Sequence, residues 1–108
     1  MTAEVRLGQF KRSEEKIFTD RDKGIEAREK LQLDNLEESN DCIYVLLPSD
    51  IWTVNPSFFG GLFEKSIKKY RKQFWDKYKF LYTDKNELSE SVKASIEYDF
   101  DYVLTHME

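Results

Sequence analysis

The chain reads as an α/β domain, a mixed four-stranded sheet with about three helices in the order β-β-α-β-α-β-α. Three observations predict it. Residues 43–47, Ile-Tyr-Val-Leu-Leu, form a continuous β-branched and aliphatic run, the pattern of a strand buried on both faces. After a short loop, Asn55, Pro56 and Ser57 read as a helix start, with asparagine at the cap and proline at the first helical position. From there Phe58, Phe59, Leu62, Phe63, Ile67, Tyr70 and Phe74 recur at threes and fours, which lays one wide apolar stripe against a sheet.

The remaining elements follow from local pattern. Val5 and Leu7 alternate with Glu4 and Arg6, predicting a first strand that ends near Phe10. A charged turn over 11–15 leads to a short second strand over 17–19, and the predicted connection is a hairpin. Thr19 or Asp20 caps a helix over 21–36, whose apolar face is Ile25, Ala27, Leu31, Leu33 and Leu36. Gly24 interrupts its first turn. Residues 39–41 break the chain before the central strand over 42–47. Tyr78, Phe80 and Tyr82 alternate with Lys77, Lys79 and Leu81 as a fourth strand. A last helix starts at 84–86, with Leu88, Val92, Ile96, Phe100 and Val103 recurring mostly at four. Gly60 and Gly61 stand inside the second helix, where each costs roughly 1 kcal/mol relative to alanine, so the pattern predicts a close approach of backbone to the sheet or to a partner.

At 108 residues the chain is expected to form one domain over 1–108, with a single core. Its 17 basic and 21 acidic side chains give a formal charge of -4, which argues against general binding to nucleic acid. The charge is segregated. Residues 64–79 hold seven basic side chains against Glu64 and Asp76, a balance of +5, and residues 84–108 hold seven acidic ones against Lys85 and Lys93, a balance of -5. Such runs are either solvated helix faces or docking surfaces. Cys42, the one cysteine, allows no internal disulfide and reads as a small buried hydrophobe. Residues 1–9 lack the basic start and apolar core of a signal peptide, and no apolar run approaches membrane length; a cytoplasmic protein without membrane contact is expected. No Gly-rich phosphate loop, His-Glu-x-x-His or Gly-x-Ser-x-Gly is present, so neither a catalytic residue, a metal nor a cofactor is expected, and the chain reads as non-enzymatic.

Function is expected where open α/β sheets place it, in the crevice beyond the strand ends, where a helix's first turn offers free N–H groups. That singles out Asn55, Ser57 and Phe58, with Trp52 before them and Thr19 and Arg21 at the start of the earlier helix. Lys65, Lys68, Lys69 and Lys72 form the accompanying basic face. Each has a plainer alternative. Ser57 fills a helix start, Thr19 and Arg21 cap a helix and pair with Asp22 or Glu26, Trp52 and Trp75 pack at the core or its rim, and His106 stands alone near a fraying terminus.

The order of elements, with a serine in the first turn of the helix after the central strand, resembles the STAS domain of anti-sigma factor antagonists. It is more closely similar to the STAS-like family of small bacterial proteins, in which a Thr or Ser, an Arg and a Gly precede the first helix and a Ser-Phe pair opens the second. Here those positions are Thr19, Arg21 and Gly24, then Arg28, and Ser57 with Phe58, and the resemblance runs over about 5–96. It implies a regulatory signalling module, a monomer or weak dimer, whose Ser57 becomes a phosphoserine through a partner kinase-like ATPase and whose surrounding surface binds that partner. Of the antagonists' Asp-Ser-Ser-Gly pattern, residues 55–58 keep only the acceptor serine. The alternative is a small inhibitor or accessory protein from a mobile element or phage that blocks a larger complex through its charged faces.

Overall fold

A computed structural model describes residues 1–12 and 14–106; Ser13 of the charged turn, and Met107 and Glu108 of the acidic run, lie outside them. The main sheet has three parallel strands, β1 (Thr2–Arg6), β3 (Cys42–Leu47) and β5 (Tyr78–Tyr82), in the order β1-β3-β5. Val5, Val45 and Phe80 stand side by side in register. Because β3 is central, both its edges are paired, and Ile43, Val45, Leu46 and Leu47 are sealed from solvent.

The two faces of this sheet differ. Ile43, Val45 and Leu47 join the main core with Val5 and Tyr78, and rings of Phe59 and Phe63 meet Phe80 and Tyr78 on that face. The opposite face carries exposed Thr2, Glu4, Arg6 and Lys79 around a half-buried Tyr44, and Leu46 is buried there apart from the main core. An unbroken apolar run in the sequence therefore reflects a central strand more than one with helices on both sides.

The mixed four-stranded sheet and its hairpin are not formed. Ile17–Phe18 (β2) pairs in parallel with Thr53–Val54 (β4) as a separate two-stranded ribbon. The chain leaving β1 and the chain leaving β3 run the same way, so the two segments pair a second time. Trp52 N–H donates to the Lys16 carbonyl and Asn55 N–H to the Phe18 carbonyl, both at 2.7 Å, which occupies the groups a hairpin would have used. Residues Leu7–Phe10, expected to continue β1, make a 3₁₀ turn instead.

Two of the three expected helices are subdivided, and the third starts late. The first is α1 (Arg21–Leu31) and α2 (Leu33–Ser39), separated where Gln32 takes a left-handed φ of 55°. The second, α3 (Pro56–Tyr70), stops at Arg71 with φ 53°, and α4 (Phe74–Lys77) follows a 3₁₀ turn. The last, α5 (Glu90–His106), begins later than 84–86, because Tyr82 N–H donates to the Asn86 carbonyl at 3.0 Å and closes a turn there.

Helices α1 and α3 cross at backbone contact. A methyl on Gly24 would stand 2.2 Å from the Phe58 carbonyl oxygen, and one on Gly61 would stand 2.2 Å from that of Arg21. Gly24 and Gly61 are thus explained by a second helix rather than by the sheet or a partner, whereas Gly60 meets only side-chain atoms. This crossing sets the first turns of α1 and α3 side by side.

Candidate functional site

Two helix starts define the site. β2 and β4 are in register, so α1 and α3 leave the same end of the ribbon, three residues after Phe18 and two after Val54. The Asp20 side chain caps α1 by accepting the Asp22 N–H at 3.0 Å, and Asn55 caps α3 by accepting the Ser57 N–H at 2.9 Å. The Ser57 hydroxyl joins the two. It donates to Asn55 Oδ1 at 2.7 Å and accepts the Asp20 N–H at 3.2 Å. Asp20 pays for this position in backbone strain: its φ of 86° is one that a residue with a side chain holds at about 1–3 kcal/mol.

Beside Ser57 lies a crevice of about 520 Å³ between the start of α1, the first two turns of α3 and the end of α5. Arg21, Ser57, Gly60, Glu64, Tyr102 and His106 line it. Arg21 Nη2 meets Glu64 Oε2 at 2.9 Å with both side chains about half exposed, a pair that contributes at most about 1 kcal/mol and is readily exchanged. A methyl at Gly60 would stand 3.3 Å from Arg21 Nη1, so the guanidinium lies over that bare turn. On the opposite wall the His106 ring stacks on Tyr102, centroids 4.1 Å apart, and Nδ1 lies 2.8 Å from the Tyr102 carbonyl.

The two helix starts bring Asn55, Ser57 and Arg21 together. Arg21 pairs across the crossing with Glu64, not with Asp22 or Glu26, and Thr19 is exposed next to the site while Asp20 does the capping. Phe58 is a correction. It is buried against Phe18, ring centroids 5.0 Å apart, because one residue beyond Ser57 turns about 100° around the helix and into the core. Trp52 is 68 % exposed, so it is neither core nor rim packing, whereas Trp75 packs half-buried against Phe74, Phe80 and Phe100. Lys65, Lys68, Lys69 and Lys72 are all exposed. His106, the last residue of α5, does not stand alone but stacks on Tyr102 at the crevice wall.

One signal for that wall lies in the sequence: Tyr98, Tyr102 and His106 recur at four along α5, off its apolar stripe. None marks the buried polar cluster behind the site. Arg28 Nη1 donates to the Leu62 carbonyl and to Ser66 Oγ, each at 2.9 Å, and Nη2 to Asp34 Oδ1 at 2.7 Å. That bond holds the Asp34 carboxyl below its usual range. The Ser66 and Tyr78 hydroxyls both donate to Glu37, and Tyr78 is pushed well above the usual phenol range by burial first and by Glu37 second. This cluster joins α1, α2, α3 and β5, and it fixes the helix pair that carries the site.

Among the described residues no group of three or more His, Cys, Asp and Glu side chains is placed to hold a metal ion, and no helix is long and apolar enough to cross a membrane. No family model, curated protein or solved structure matches the chain.

Proposed function

We propose that the chain is a non-enzymatic regulatory module of STAS-like type that binds a protein partner and is switched by phosphorylation of Ser57 by a partner kinase-like ATPase in the cytoplasm. The observation that carries this reading is the seat of Ser57. Ser57 is half-buried in the first turn of α3 and opens on a crevice, and among the described residues its hydroxyl is held by Asn55 and the Asp20 N–H. A phosphate there adds about -1.5 to -2 charges near the positive end of a helix dipole, where the fold tolerates it. The same charge alters the surface made by Arg21, the adjacent Thr19 and the wall of Tyr102. Phe58 and Phe59, being buried, form no part of that surface.

Ser57→Asp is expected to keep the folded state and weaken partner binding, while Ser57→Ala folds, binds and is not switched. Circular dichroism and calorimetric titration with the partner read both. Mass spectrometry after incubation with the cognate kinase and ATP decides the modification itself: absence of phosphate on Ser57 ends the reading.

A further inference from the structure

We infer that Arg21 is the internal reader of phosphate on Ser57, exchanging its ion pair with Glu64 for one with the phosphoserine. The inference rests on the phosphorylation reading above and adds the residue that responds. In the transfer, the Pγ–O bond to the departing nucleoside diphosphate breaks, the bond from Ser57 Oγ to phosphorus forms, and the hydroxyl proton leaves to the kinase's base.

Three features place Arg21 for this role. Ser57, Gly60 and Glu64 lie at i, i+3 and i+7 on α3, one row of a single helix face. The Arg21 guanidinium crosses that row at Gly60, where the missing side chain leaves it room. By helical rise it sits about 4.5 Å along the axis from Ser57 and about 6 Å from Glu64, within reach of both from one backbone position. The two anions are unequal. The Glu64 carboxylate carries one charge and is about half exposed, whereas phosphoserine carries nearly two and presents three acceptor oxygens to a fork of N–H donors. Arg21 begins α1 immediately after Asp20, whose N–H already bonds the Ser57 hydroxyl, so the phosphate arrives against a fixed piece of backbone. Asp20 and Glu64 oppose the added charge, and His106 on the far wall favours it when protonated.

The exchange also has an outcome beyond the crevice. Glu64, once released, stands four residues before Lys68, the order in which a glutamate and a lysine pair best on a helix. Phosphate at Ser57 is thereby conveyed to the basic face of α3 without any change of fold.

The test needs neither kinase nor partner, so its failure is separable from failure of the binding reading. The full chain is made with phosphoserine installed at position 57 by genetic-code expansion, and the phosphate is titrated by ³¹P NMR. An Arg21 pair lowers the second phosphate pKa, so Arg21→Gln is expected to raise the midpoint by about one unit, roughly tenfold in proton affinity. Glu64→Gln, which removes the competitor, is expected to lower it further below the parent value. Arg21→Lys, which keeps the charge without the fork, falls between parent and Arg21→Gln. Amide spectra of each variant confirm the fold. An Arg21→Gln midpoint equal to that of the parent, with the fold intact, overturns the inference; so does a structure of the phosphoprotein in which Arg21 still holds Glu64.

Discussion

Asp99 is the residue whose behaviour departs furthest from its type. It is 1 % exposed on α5, its Oδ2 finds no partner among the described residues, and burial pushes its carboxyl up to about 8. A carboxyl raised in the folded state binds its proton more tightly there than in the unfolded chain. Its stability contribution is therefore complete below the ordinary carboxyl range and is lost as pH rises toward about 8. Asp99→Asn is expected to leave the urea midpoint at pH 4 nearly unchanged and to raise stability at pH 8 by a few kcal/mol, on the order that such a shift implies. Urea titrations of both proteins across that range decide it. In the sequence Asp99 is one more acid in a run of seven, and nothing local marks it as buried. Ser57 is the opposite case. A cap, a proline and a serine in succession are set by backbone hydrogen bonding within four residues, so the helix start is legible without the fold.

At the scale of elements, the crossing of α1 on α3 separates glycines that look alike in sequence. A methyl at Gly24 or Gly61 meets a carbonyl oxygen at 2.2 Å, and the clash is with backbone. Gly24→Ala and Gly61→Ala are each expected to cost at least about 1–3 kcal/mol, the usual penalty of overpacking. At Gly60 the nearest atoms are the mobile end of Arg21 at 3.3 Å and a Val103 methyl at 3.5 Å. Gly60→Ala is expected to be neutral or to stabilise by up to roughly 1 kcal/mol through helix propensity. Equal losses at all three positions in denaturant titrations would refute the crossing geometry. The adjacent break at Gln32 shows the same limit of local reading. An apolar period carries on through it, but the turn to a left-handed conformation redirects α2 so that Glu37 reaches Tyr78 and Ser66.

For the whole molecule, the segregation of charge is partly real surface and partly interior. On the basic side Lys65, Lys68, Lys69 and Lys72 are exposed, but Lys77 is turned inward to the carbonyls of Glu37 and Asn40. On the acidic side Asp99 is withdrawn into the core. Reversing Lys68, Lys69 and Lys72 to Glu is expected to slow association with the partner about tenfold or more at low salt and to flatten its salt dependence, leaving the melting curve in place. Stopped-flow association across a salt series measures this, and unchanged rates would return the face to ordinary solvated surface.

The sequence by itself determined the α/β class, the central place of β3, the start of α3 and the position of Ser57, because each depends on periodicity or on hydrogen bonds closed within a few residues. Only the tertiary structure decided which strands pair, since a strand's pattern specifies a buried face but not the neighbour that covers its edge; β2 took β4 and left no hairpin. It alone decided that Arg21 reaches Glu64 and that Tyr102 and His106 close the crevice. These contacts join residues tens of positions apart; the glycines mark a close approach, but no local pattern says which element makes it.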